Sequence, residues 1–137
     1  MTKTTILRWA CITVVLLAGC TALQPSPQQT EPSANNAVVA LLDKARSQGE
    51  QGRLPEASAS LERALRIEPR NPLLWQELAR VRLAQGQYRQ AENLAVKSNT
   101  LGYGNSVLCR ENWRIIGQAR TRLGDLQGAR EAFSKAE

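Results

Sequence analysis

Three cysteines and a complete lack of histidine bound the chemistry open to this chain of 137 residues. Cys20 follows Leu17-Ala18-Gly19, small residues at a bond that a signal protease would cut, so its thiol is a candidate for covalent modification rather than catalysis. Cys11 lies in the apolar stretch ahead of that bond and would leave with it. Cys109 is then alone and no intramolecular disulfide can form. With only Arg110 beside it, Cys109 reads as a small buried hydrophobe, an intermolecular disulfide being the alternative. Without histidine the usual general base, the usual zinc ligand and every His-dependent nucleophile are missing. The acids form no identifiable dyad, and neither a Gly-rich phosphate loop nor a serine in a nucleophile motif is present. No catalytic residue, metal or cofactor is expected, and the chain does not read as an enzyme.

The segment that positions Cys20 has three parts. Lys3 and Arg8 supply charge, Trp9 to Ala18 is apolar except for Thr13, and small residues close it. The run is too short for a span of about 20 apolar residues, and no stop-transfer segment follows. Residues 1–19 therefore read as an export signal. Leu17-Ala18-Gly19-Cys20 resembles the bacterial lipobox, which implies a diacylated thiol, cleavage before Cys20 and an acylated new amino group. Three acyl chains at about 0.8 kcal/mol per buried methylene hold a protein firmly on its membrane. Thr21 stands where lipoproteins retained at the inner membrane commonly carry aspartate, so the resemblance implies the periplasmic face of the outer membrane.

Residues 20–35 follow as a tether. TALQPSPQQTEPSAN holds three prolines and three glutamines with few large apolar side chains. About fifteen residues span at most roughly 50 Å. The formal charge of +6 falls by two with the signal, since residues 1–19 hold Lys3 and Arg8 and no acid. That excess suits acidic protein segments or anionic envelope components and is too weak to argue for nucleic acid.

From residue 36 onward the composition is helical, rich in Ala, Leu, Arg, Glu and Gln, with Gly or Pro at the breaks. A repeat runs through it. Arg110 opens a copy with Trp113, Ile116, Gly117, Ala129, Phe133 and Ala136, in which Arg120 stands at an aromatic place. Pro72 opens another with Trp75, Leu78, Ala79, Gly86, Tyr88 and Ala91, and Val38 a third with Leu41, Ala45, Ala57, Leu61, Ala64 and Pro69. Small residues at Ala45, Ala79 and Gly117 suit close helix crossings, and Ala57, Ala91 and Ala129 fill the matching places. Gly52, Gly86 and Gly124 fall at one place in each copy, Pro55 and Pro72 sit at helix starts, and Asp125 is a cap. This pattern resembles the tetratricopeptide repeat.

The resemblance implies an all-α fold over residues 36–137, antiparallel helix pairs stacked as about three units of an α-solenoid at 38–71, 72–109 and 110–137. Four extra residues around Leu101 to Asn105 mean that a loop bulges or that the next helix begins a turn early, near Ser106. The chain given stops at Glu137 without the usual polar capping helix, so an apolar edge covered by a second copy or a partner is expected. Trp75 and Trp113 match packing places and are expected in the inter-repeat core.

In this family the first helices line a concave groove that holds a peptide of another protein. Carried over by place, the groove receives Val39, Leu42, Arg46, Leu73, Gln76, Arg80, Leu83, Glu111, Arg114, Gln118 and Arg122. Arg46, Arg80 and Arg114 recur at 34-residue spacing and would form a column beside a floor of Leu42, Leu73 and Leu83, suited to bidentate carboxylate recognition. The alternative is pairing one turn away, Asp43 with Arg46 and Glu77 with Arg80. A short lipoprotein with a small repeat domain resembles the LpoP-type activators of bifunctional penicillin-binding proteins, which implies an adaptor that stimulates peptidoglycan synthesis. It also resembles the assembly lipoproteins of pili and secretins. The alternative function is a self-associating structural or assembly lipoprotein of the envelope.

Overall fold

The computed structural model describes residues 34–137; the expected signal, Cys20 and residues 21–33 of the tether lie outside the described residues. Six helices follow in order among the described residues: α1 Ala34–Glu50, α2 Leu54–Ile67, α3 Pro72–Ala84, α4 Tyr88–Leu101, α5 Ser106–Leu123 and α6 Leu126–Ser134. The first begins two residues before the expected boundary at residue 36. Helices α2, α3, α5 and α6 start at proline or a short polar side chain. Asn71 Oδ1 accepts the Leu73 amide at 3.1 Å with Pro72 in the first turn, and Asn105 Oδ1 accepts the Leu108 amide at 3.1 Å. Asp125 Oδ1 accepts the Gly128 amide at 2.9 Å.

The three first helices end alike. Gly52, Gly86 and Gly124 take φ of 73°, 75° and 84°, the left-handed conformation that a Cβ penalises. The following amide then turns back to a carbonyl five residues earlier, Arg53 to Gln48, Gln87 to Arg82 and Asp125 to Arg120, at 2.8 to 3.0 Å. This shared turn fixes the equivalence of the repeats and sends each second helix back along its first.

Each helix packs on the next in the chain, and α3 also packs on α5, so these two first helices are neighbours. Ala45, Ala79 and Gly117 are buried on the first helices, as are Ala57, Ala91 and Ala129 on the second. A Cβ on Gly117 would stand 2.7 Å from the Phe133 ring, so only glycine lets that ring lie on α5. One cluster joins α1, α2 and α3 through Val38, Leu42, Leu61, Leu65, Leu74 and Leu78, with Trp75 packed against it. A second joins α3 to α6 through Ala79, Ala91, Ala95, Ile115, Ile116 and Ala132, with Trp113 against it. Both tryptophans thus serve packing, and Trp75 Nε1 donates to the Pro69 carbonyl at 2.8 Å.

The extra turn between the second and third repeats goes into the helix. Helix α5 begins at Ser106, one turn early, and runs 18 residues against 13 in α3. A buried polar seam accompanies it. Asn112, 0 % exposed, donates to Ser98 Oγ at 2.8 Å and Asn99 Oδ1 at 2.9 Å and accepts from Gln76 Nε2 at 3.0 Å. Gln76 also donates to the Leu108 carbonyl, and Ser98 to that of Pro72. No buried side-chain nitrogen or oxygen among the described residues lacks a partner, as burial in a medium of low dielectric demands.

Candidate functional site

Helices α1, α3 and α5 present their polar stripes side by side, and the arginines on them meet acids of the next repeat. Arg46 donates from Nη2 and Nε to Glu77 Oε1 at 2.7 and 3.0 Å. Arg80 Nη2 donates to Glu111 Oε1 at 2.8 Å, and Arg114 Nη1 holds Glu111 Oε2 at 3.0 Å. The partners lie 31 residues on in both cross-repeat pairs, on the first helix of the next repeat. The arginines of the expected column are thus paired, but across repeats and not in the alternative pairs of Asp43 with Arg46 and Glu77 with Arg80. Side chains in this ladder are part-exposed, 48 % for Arg80 and 31 % for Glu111, so each rung adds little to stability.

Three depressions lie along this face, and Arg80 borders all of them. The first, about 500 Å³, has Arg46 and Arg80 facing Glu50 and Glu77. The second, about 680 Å³, is walled by Leu83, Tyr88 and Phe133 and edged by Arg80, Gln118 and Arg122, with no carboxylate in its lining. The third, about 440 Å³, sits at the early start of α5 between Leu73, Val107 and Glu111.

Of the residues expected in the groove, Arg46, Arg80, Leu73, Gln76, Leu83, Glu111, Gln118 and Arg122 border these depressions, and Arg114 is exposed. Val39 is half exposed on α1. Leu42 is not a groove floor. It lies between Val38 and Ala45 in the buried stripe of α1, and a leucine at that register is drawn into the core. Gln76 borders the third depression but is 6 % exposed and engaged with Leu108 and Asn112, so it mainly specifies the contact between α3 and α5.

Tyr88 and Phe133 are the lining residues that the repeat pattern had assigned to packing. Phe133 does pack on Gly117 and is still 39 % exposed, which periodicity alone does not reveal. Elsewhere arginines do structural work. Arg82 reaches Glu62 and Arg120 reaches Glu92, each at 2.7 Å, joining each second helix to the first helix that follows it. The bond to Glu92 raises the pKa of Arg120 further above its ordinary value, against the opposing effect of burial. Cys109 is half-buried, its Sγ 3.8 Å from the Gly102 carbonyl. No cluster of acids and cysteines among the described residues is placed to hold a metal, and no described helix is long and apolar enough to cross a membrane.

Family models described as tetratricopeptide repeat match residues 50–96 and 77–137. Among solved structures, the globular C-terminal domain of P. aeruginosa LpoP is 45% identical, with a TM-score of 0.71, covering 73% of this chain and 94% of that one. The second TPR of Spaghetti (RPAP3), solved bound to the HSP90 peptide SRMEEVD, is 23% identical, with a TM-score of 0.66 and coverage of 75% and 94%. The N-terminal domain of stress-induced protein-1 from C. elegans is 18% identical, with a TM-score of 0.69 and coverage of 76% and 84%. These last two share the fold. No curated protein matches the chain.

Proposed function

The chain belongs to the tetratricopeptide-repeat family and resembles LpoP over its globular part, and we propose that it is a lipid-anchored adaptor whose first-helix face binds a bifunctional penicillin-binding protein and stimulates peptidoglycan synthesis. The observation that carries this reading is the 45% identity over 94% of the LpoP domain. The face itself supports binding rather than catalysis. It offers guanidinium groups and shallow apolar depressions, in a chain without histidine.

In this proposal residues 1–19 are removed, Cys20 carries the lipid, and the domain hangs from the periplasmic face of the outer membrane. A tether of about fifteen residues keeps it within roughly 50 Å of the bilayer. A synthase held in the inner membrane must then reach outward to be bound. Cys20→Ala should move the protein from the membrane fraction to the soluble fraction and abolish labelling by radioactive palmitate. Persistence of both in the variant would remove the anchor from the account.

The test of function is a polymerisation assay with the bifunctional synthase of the same organism in detergent. Adding the intact protein should accelerate glycan synthesis and show a saturable dependence on its concentration. Unchanged rates, together with no association in sedimentation, would discard the synthase as partner.

A further inference from the structure

We infer that the second depression, between α3 and α5, is where the partner segment is recognised, and that it takes a large apolar side chain with a carboxylate beside it. This inference rests on the adaptor reading and adds a place and a ligand chemistry to it.

Charge separates this depression from its neighbour. In the first, Glu50 and Glu77 face the two arginines, and Arg46 already spends two donors on Glu77, so an incoming carboxylate meets acids and an occupied guanidinium. No acid lines the second. Arg122 on its rim is exposed and makes no hydrogen bond or ion pair, and Gln118 brings a free amide. A carboxylate placed there meets two guanidinium groups and no acid in the lining, and a guanidinium can hold it through two parallel hydrogen bonds.

Arg80 adds a device. It holds Glu111 through Nη2 alone, while Arg114 holds the other Glu111 oxygen. Turning Arg80 toward a ligand therefore leaves Glu111 neutralised, and the usual penalty of stripping a partner from a carboxylate is avoided.

The apolar wall fits the same occupant. Phe133 is fixed against Gly117, where no Cβ has room, yet it remains 39 % exposed opposite Tyr88 and Leu83. An aromatic surface held rigid before binding loses little freedom when a side chain docks on it. The carboxylate can belong to an Asp or Glu beside the apolar residue or to the C-terminus of the segment.

Fluorescence anisotropy with three labelled decapeptides on a Gly-Ser background tests this against the intact protein. One carries Phe-Glu-Phe-Asp internally with an amidated end, one ends in Phe with a free carboxylate and no other acid, and one carries Phe-Gln-Phe-Asn with an amidated end. At least one acidic probe should bind at least about tenfold more tightly than the neutral one, and whichever binds names the source of the carboxylate. Arg122→Gln, which removes no contact of the fold, should weaken that probe about tenfold, Arg46→Gln less, and Arg63→Gln on α2 not at all. Equal binding of the neutral probe, no binding of any probe, or an unaffected Arg122→Gln protein overturns the inference. A synthase stimulated equally by wild type and Arg122→Gln would also sink this site while leaving the adaptor reading intact. Arg122-dependent probe binding without any effect on the synthase would do the reverse.

Discussion

The junction between the first and second repeats is built of leucine, and that between the second and third is built of alanine and hydrogen bonds. Leu61, Leu65, Leu74 and Leu78 fill the first, whereas Ala79, Ala91 and Ala95 meet Ile115 and Ile116 beside the Gln76–Asn112–Ser98 seam in the second. The groove above them also differs: over the first junction Arg46 is paired with Glu77, whereas over the second, one depression holds Glu111 and the other has no acid in its lining. The second junction is also where the longer α5 packs on α3. Sliding a helix by one turn keeps its apolar stripe on nearly the same face, so apolar packing discriminates weakly between the two registers. A buried amide that finds its partners in only one of them discriminates strongly.

Truncation should expose this contrast. Leu74→Ala empties space in a closed apolar cluster and should cost about 2–5 kcal/mol in denaturant unfolding. Asn112→Ala should cost about 1–3 kcal/mol, since it takes from the buried Gln76 amide one of its two acceptors and removes the donor to Ser98 Oγ and Asn99 Oδ1. Gln76→Leu combined with Asn112→Leu removes both ends of that bond and should cost less than Asn112→Ala alone. A larger loss in the double variant would mean that the seam stabilises through its hydrogen bonds and does not merely set register.

Gly117→Ala sharpens the comparison from the other side. The added Cβ would meet the Phe133 ring at 2.7 Å, so the ring or α6 must move, at about 1–3 kcal/mol. Because Phe133 also walls the second depression, this variant should weaken partner binding together with stability. The smallest effect belongs to Arg80→Gln. Its rung to Glu111 is part-exposed, and the change should alter stability by about 0–1 kcal/mol while weakening binding.

Much of this architecture was legible in the sequence because the repeat's geometry leaves local marks. Gly52, Gly86 and Gly124 take the left-handed turn, and Ala45, Ala79 and Gly117 are the small buried residues of the first helices, so their spacing together with the Trp and second-helix Ala places marked the frame. The early start of α5 was one of two readings, decided in the structure by the Asn105 cap. What the sequence concealed is which side of a helix each polar group uses. Gln76 and Arg80 are one turn apart on α3, yet one is buried against Asn112 and the other exposed, since that depends on how α5 lies against α3. The cross-repeat rungs from Arg46 to Glu77 and from Arg80 to Glu111 are invisible for the same reason. Helical periodicity reports neighbours along one helix and not across two.

Site-specific photo-crosslinking tests the central proposal, a synthase bound over the second junction, most directly. A photoreactive residue would replace Gln118 in the depression or Arg63 on α2 of the intact protein, mixed with the bifunctional penicillin-binding protein of the same organism. The adduct should form from position 118, be competed by unlabelled protein, and be absent from position 63. An adduct from position 63 alone, or none from position 118 under conditions where the synthase is stimulated, would contradict it.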